Sequence, residues 1–200
     1  FSAKVHQHAS ETSRVIKAQM EVTYRCNLHC LHCYTDPYNA PAHFAKELRF
    51  EEITRILDEM ADYGILWLNF TGGEVFARKD FLDIYDYAFR KGFIITIFTN
   101  GTAFTERILE RLRKQPPFFI DISCHSIHEE AFDRFTQVKG SFQKFIAGMD
   151  LVKASGLPFR LKTKAMNWNH GEIPQIRRYI ESFGIDFTFT TSLSPRLDGD

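Results

Sequence analysis

Short runs of β-branched and aromatic residues alternate with amphipathic stretches along almost the whole chain, and this alternation constrains the fold more than any single residue. Residues 15–23 read as a strand. Residues 48–63 carry Ile53, Ile56, Leu57 and Met60 at helical spacing, and Gly64 follows where a left-handed residue would end a helix. Residues 65–70 form a short apolar run that enters Thr71-Gly72-Gly73. Asp80 is placed to cap a helix whose inward stripe is Phe81, Ile84, Tyr85, Ala88 and Phe89, closed by Gly92. The unit then recurs. A strand over 93–99 stops at Asn100-Gly101, Thr105 caps a helix bearing Ile108, Leu109 and Leu112, and 118–125 is the next strand. A helical region over 129–154, broken near Lys139-Gly140 and closed by Gly156, leads to a strand over 159–165. A helix over 173–183, with Ile176 and Ile180 inward, and a strand over 186–191 complete the series.

Strands alternating with helices of this length make βαβ units and a parallel sheet, an α/β architecture. About six units fit either an open doubly wound sheet or a barrel short of the usual eight strands. In both, the loops that follow the strands gather on one face, where ligands bind. Two hundred residues suit one domain. Residues 1–14 read as a flexible leader with His6 and His8 exposed, residues 15–191 as the core, and residues 192–200 as a departing linker. The chain opens on Phe1, and the expectation is a piece of a longer protein.

Lys plus Arg equals Asp plus Glu at 25 each, so no basic surplus points to nucleic acid or an anionic membrane. No apolar run approaches the roughly 20 residues of a membrane span. Three of the four cysteines fall within eight residues, too crowded for a disulfide framework, and a reducing cytoplasm is expected.

That cysteine loop, Cys26-Asn27-Leu28-His29-Cys30-Leu31-His32-Cys33-Tyr34, follows the first strand with C-x3-C-x2-C spacing. Soft thiolates this close select iron–sulfur or zinc. Three thiolates on a four-iron cluster leave one iron open, whereas His29 or His32 as a fourth ligand would close a structural zinc site. Spacing alone leaves both open.

Together with Thr71-Gly72-Gly73-Glu74 after the second strand, the loop resembles the radical S-adenosylmethionine (radical SAM) superfamily. The resemblance implies a partial barrel of six βα units, with a 4Fe–4S cluster on Cys26, Cys30 and Cys33. It implies that S-adenosylmethionine chelates the open iron through its amino and carboxylate groups, and that Gly72, Gly73 and Glu74 receive the amino group. Reductive cleavage to a 5′-deoxyadenosyl radical would follow, with electrons from a donor such as flavodoxin or ferredoxin. Val75 stands where the family usually has proline. Thr99-Asn100-Gly101 resembles a cofactor-adjacent turn, and Ser123 a cofactor-contacting serine.

On the fourth strand, alternation sends Asp121, Ser123 and His125 to one face and Ile120, Ile122 and Cys124 to the other, so Cys124 is expected to pack rather than react. Arg160, Lys162 and Lys164 share a face of the fifth strand; Lys162 and Lys164 are candidates to face a carboxylate of cofactor or substrate. His125 and His128 are candidates to touch substrate, and Asn167 either binds or caps. Residues 192–200, and the stretch from His125 to Phe135, resemble members with a C-terminal SPASM or twitch extension. That implies a ribosomally made peptide as substrate, with a haem or cofactor precursor or a sulfatase as alternatives.

Overall fold

The computed structural model describes residues 2–197; Phe1 and the last three residues of the expected linker lie outside the described residues. Helix α1 (Ser2–Glu11) is followed by β1 (Lys17–Glu21), α2 (Pro41–Phe44), α3 (Phe50–Tyr63), β2 (Trp67–Thr71), α4 (Phe81–Arg90), β3 (Ile94–Thr99) and α5 (Glu106–Lys114). Then come β4 (Phe119–Ser123), α6 (Glu129–Thr136), α7 (Ser141–Ser155), β5 (Phe159–Lys164), α8 (Ile173–Glu181) and β6 (Phe189–Thr190). The six strands form one sheet in the order β1-β2-β3-β4-β5-β6, each parallel to its neighbours. A doubly wound sheet reverses its strand order at a switch point. Sequential order therefore decides for the curled half-barrel.

Register fixes the two faces. Leu68, Phe70, Ile95, Ile97, Ile120, Ile122 and Leu161 are each 2% exposed or less and meet the helices. Helix residues Leu57, Ile84, Tyr85, Leu109, Leu112, Phe145, Ile176 and Ile180, all fully buried, complete this core. Burying one such side chain contributes about 1.5–3 kcal/mol, so the convex side holds the sheet's shape. Alternate residues, among them Asn69, Thr96, Asp121 and Arg160, face the hollow of the sheet.

The helix signals hold at Gly64, left-handed at φ 97°, and at Thr105, whose Oγ1 accepts from Ile108 N at 3.3 Å. Asp80 stands at the start of α4, but its carboxylate goes to Arg78 at 2.8 Å rather than to a helix N–H. Phe89 is 36% exposed, at the rim of its stripe rather than inside it. The break in the 129–154 region becomes two helices. Asp133 closes the gap between them, accepting from Gly140 N, Ser141 Oγ and Phe142 N at 2.5–2.9 Å and thereby capping α7, whose N-cap Gly140 has no side chain. β6 is shorter than the expected 186–191 because it pairs only with β5, through Thr163↔Phe189 and Lys164↔Thr190. The expected flexible leader is a helix over most of its length: His6 lies on the Trp67 ring at 4.6 Å and Ala9 is buried, while His8 stays exposed. Among the described residues no helix is long and apolar enough to cross a membrane.

Candidate functional site

Parallel strands put every strand-exit loop at one end of the sheet. There a cavity of about 240 Å³ is lined by Cys26, Cys30 and Cys33 from the first loop, Gly72 and Gly73 from the second, Asn100 from the third, and Ser123, His125 and Lys164 from β4 and β5. A neighbouring cavity of about 370 Å³ shares His32, Phe98, Ser123, His125 and Lys164 with it. Of the residues nominated from the sequence, Glu74, His128 and Asn167 are absent from both linings.

The stem of the cysteine loop is locked to the glycine loop. Gly73 N donates to Thr23 O at 2.8 Å and Glu74 N to Arg25 O at 2.7 Å. A Cβ on Gly72 would lie 2.3 Å from Thr23 O, and one on Gly73 2.4 Å from Arg25 O. The close approach these glycines permit is therefore first to the chain's own backbone just before Cys26, and through it to the cavity. Glu47 supports the same stem by accepting from Thr23 Oγ1 and Tyr24 N at 2.7 and 2.9 Å. Buried Arg78 ties Val22 O to Leu48 O, at 2.7 and 2.8 Å.

The far side of the loop hangs on a helix end. The last carbonyls of a helix lack intrahelical partners. Those of Phe135 and Thr136 in α6 accept from Leu31 N at 3.0 Å and His29 N at 2.9 Å. Asn39 holds Cys26 from both sides, accepting from its N–H at 3.2 Å and donating to its carbonyl at 3.0 Å.

All three loop cysteines are free and half-buried. Burial pushes the Cys26 thiol up to about 12 and the Cys30 thiol higher still, with neighbouring Glu74 adding to the effect at Cys26 and Cys26 and Cys33 at Cys30. Clustered neutral thiols in a low-dielectric wall are the donor set a soft cationic centre converts to thiolates, because a coordinating thiol is deprotonated outright. His29 Nδ1 bonds Asp36 at 2.9 Å outside the cavity, whereas His32 lines the cavity between Phe135 and His125, each at 4.9 Å, with its buried Nδ1 lacking a hydrogen-bond partner among the described residues. Among the described residues no group of three His, Cys, Asp or Glu side chains converges to hold a single metal ion. The three thiols on one cavity wall are the donor set of a cluster bound by three thiolates, and His29 is held away from them.

Glu74 is fully buried. Its two oxygens accept from Thr99 Oγ1 (both at 2.9 Å), Asn100 N at 2.8 Å and Phe76 N at 3.2 Å. Burial raises its carboxyl above the ordinary range despite these bonds. Its carboxylate is engaged inside the protein, latching the second loop to the third. Asn100 continues the latch, since its Nδ2 donates to Asn27 Oδ1 at 2.9 Å and lies 3.8 Å from Cys26 Sγ.

The β4 alternation appears as expected. Cys124 is fully buried with its thiol pushed up to about 12, an inert packing residue, while Ser123 and His125 line the cavities. His125 Nδ1 accepts from Lys164 N at 3.2 Å, which puts the ring proton on Nε2. Burial drives His125 down to about 3 and His32 down to about 4, with Lys164 contributing to both, so both rings are neutral at pH 7. His128 instead bonds Gln175 Oε1 at 2.9 Å, away from the cavity. On β5, Arg160 and Lys162 reach Asp121 at 2.7 and 3.6 Å, whereas Lys164 extends into the cavity wall.

Two features had no sequence signal. Asn169, not Asn167, organises the β5 exit: it is fully buried, donates to His125 O and Lys164 O at 2.8 and 2.9 Å, and accepts from Met166 N at 2.7 Å. Asn167 is exposed, and its carbonyl bonds His170 Nδ1 at 2.7 Å. Phe135, stacked on Trp168 at 4.5 Å, forms the wall beneath His32.

A parallel half-barrel with three thiols, two loop glycines and a lysine around one cavity at its strand ends defines a class of α/β domain that holds a thiolate-ligated centre and a small polar cofactor. Residues 20–180 match the Radical SAM superfamily, and the chain belongs to it. The superfamily's cofactors are a 4Fe–4S cluster and S-adenosylmethionine. The chain is 30% identical over 181 residues to an AdoMet-dependent heme synthase of Methanosarcina barkeri, covering 90% of this chain and 51% of that protein. It is 29% identical over 177 residues to the antilisterial bacteriocin subtilosin biosynthesis protein AlbA of Bacillus subtilis, covering 88% and 39%. Streptococcus suis SuiB bound to its precursor peptide SuiA superposes with a TM-score of 0.73 at 17% identity, over 92% of this chain and 42% of that one. The chain spans about half the length, or less, of the curated relatives it matches.

Proposed function

We propose that residues 15–191 form the radical SAM core of a larger enzyme that modifies a ribosomally made peptide, by crosslinking, thioether formation or epimerisation. The observation that carries the reading is the shared cavity, in which Cys26, Cys30 and Cys33 meet Gly72, Gly73, Asn100, Ser123 and Lys164. When bound, the cluster and S-adenosylmethionine supply reductive formation of a 5′-deoxyadenosyl radical that removes a substrate hydrogen. The three cysteines would hold the cluster. Gly72 and Gly73 would offer backbone to the cofactor's amino group, Lys164 its ammonium to the carboxylate, and Ser123 a hydroxyl that has no partner among the described residues. Glu74 serves that site through the second and third loops, by holding Asn100 in place. The hollow of the sheet beneath this cavity would orient the target C–H bond.

The peptide reading draws on the relationship to AlbA and on the fold shared with SuiB. The 30% identity to a heme synthase favours a second reading, a small-molecule substrate such as a haem precursor. Sulfatase maturation is a further alternative. A cytoplasmic setting, reduction by a flavodoxin or ferredoxin, no nucleic-acid partner, and a SPASM- or twitch-like extension after residue 191 belong to the same proposal. The test is to incubate reconstituted, reduced protein with S-adenosylmethionine and the peptide encoded beside it. The expected result is 5′-deoxyadenosine together with a change in peptide mass. 5′-Deoxyadenosine with an unmodified peptide would turn the assignment to a small molecule, and absence of both would reject it.

A further inference from the structure

The first and last cysteines of the loop each have a hydrogen-bond donor beside the sulfur, and one of these donors has no other task. Cys33 Sγ lies 3.4 Å from Thr35 Oγ1, and both residues line the thiol cavity. Thr35 is 2% exposed, and among the described residues its hydroxyl bonds only that sulfur. Cys26 Sγ accepts from Leu28 N at 3.4 Å and lies 3.8 Å from Asn100 Nδ2. Asn100 is shared among several partners, since Nδ2 also donates to Asn27 Oδ1 at 2.9 Å and its backbone N–H goes to Glu74.

Thr35 does not do what its position ordinarily asks. It is the N-cap of a one-turn 3-10 helix, Asp36–Tyr38, where a threonine hydroxyl commonly accepts from a backbone N–H of the turn. Here the side chain makes no such bond. The turn is closed by backbone alone, Tyr38 N donating to Thr35 O at 2.9 Å, and the hydroxyl is left to Cys33. The preceding turn is closed in the same way, by Cys33 N donating to Cys30 O at 2.9 Å. Two successive turns thus hold the sulfur and the hydroxyl against each other.

In the free thiol either atom can supply the bridging proton. A cysteine that ligates iron has lost its proton, so Thr35 Oγ1–H becomes the donor and the thiolate the acceptor. An electron added to a cluster increases the negative charge on its sulfur ligands. A donor dipole held at one of those sulfurs therefore stabilises the reduced form more than the oxidised one, and hydrogen bonds to sulfur are among the factors that set cluster potentials. Burial strengthens the effect, because the local dielectric is low.

We propose that the Thr35 hydroxyl, by donating to the Cys33 thiolate, raises the reduction potential of the cluster. The assignment rests on the three-cysteine cluster reading above and adds a residue that lies outside both the cysteine and the glycine motif. Thr35 acts through Cys33 as a positioning residue and takes no part in bond breaking. Asn100 acts on Cys26 in the same sense, but its bonds to Glu74 and Asn27 mix that effect with loop structure. Thr35 isolates it.

The test is a redox titration of cluster-loaded full chain by dithionite with mediator dyes, followed by EPR in the absence of S-adenosylmethionine and substrate. Thr35→Val keeps the shape of the side chain and removes the hydroxyl, whereas Thr35→Ser keeps the hydroxyl. Thr35→Val is expected to move the midpoint to more negative potential, lowering the equilibrium constant for reduction about three- to tenfold, where tenfold is about 59 mV for one electron. Thr35→Ser is expected to stay within about twofold of wild type. Iron and sulfide content and the thermal midpoint, expected to match wild type in both variants, separate a changed potential from a lost cluster or fold. A Thr35→Val midpoint equal to wild type or more positive overturns the proposal, as does a Thr35→Ser shift as large as that of Thr35→Val. A Thr35→Val protein that does not fold, or folds without taking up iron, also overturns it, because the hydroxyl then serves assembly rather than potential. The iron and sulfide content of wild type reads the underlying cluster assignment separately: a loaded wild type with an unmoved Thr35→Val midpoint rejects this proposal alone, and a wild type without iron rejects both.

Discussion

The two faces of the sheet obey opposite rules. On the convex face Phe70, Ile97 and Ile122 are wholly buried against helices. On the concave face Asp121, Arg160, Lys162 and Lys164 face one another across β4 and β5, and the strand ends above them carry three free thiols. Removing a charged group from water is costly unless it is paired, so a polar concave face is a net burden on folding that the convex face has to offset. Stability and chemistry thus reside on different sides of the same six strands. Changes on one side should leave the other largely intact.

Cys30→Ala gives the sharpest division. It is expected to abolish 5′-deoxyadenosine formation while shifting the urea midpoint little, because the loop lies outside the convex core; retained cofactor cleavage, or an unfolded variant, would break the comparison. The reverse case is Phe145→Ala. This ring is fully buried in α7 and packs on Phe132 at 5.1 Å, so its loss should cost about 3–5 kcal/mol in denaturant unfolding. The folded fraction should still bind iron.

Glu74→Ala falls between the two regions. It leaves the Thr99 hydroxyl and two N–H groups without their buried acceptor, at an expected cost of about 2–3 kcal/mol. It should weaken S-adenosylmethionine binding, measured by calorimetry, more than cluster assembly; loss of the cluster's visible absorption would contradict that split.

Smallest is Asp133→Asn, at about 1 kcal/mol, the scale of one helix cap. Burial raises the Asp133 carboxyl, but bonds from Phe142, Gly140 and Ser141 outweigh it and hold it below the usual range. A depressed carboxyl stabilises above its unfolded pKa and loses that contribution as pH falls through the folded value. The gap between wild type and Asp133→Asn should therefore close in acid, and a gap that widened would reject the capping role.

Periodicity made the strands, the helices and the two faces of β4 legible in the sequence, because alternation of 2 and 3.6 residues is local information. The cysteine and glycine loops were legible for the same reason, lying within a few residues of a strand end. What lay hidden depends on distant partners. The capture of Glu74 by Thr99 and Asn100, of Arg160 by Asp121, and of His125 by Lys164 and Asn169 joins residues 25 to 44 apart. Helix α1 was missed because the stacking of His6 on Trp67 and the burial of Ala9 come from packing rather than from its own weakly amphipathic sequence.

Metal analysis of anaerobically purified protein tests the central claim most directly, that Cys26, Cys30 and Cys33, which meet in one cavity at the strand ends, hold a cluster. The expected result is brown protein with about four iron and four sulfide per chain, lost together in Cys26→Ala, Cys30→Ala or Cys33→Ala. Colourless protein carrying one zinc per chain would contradict it.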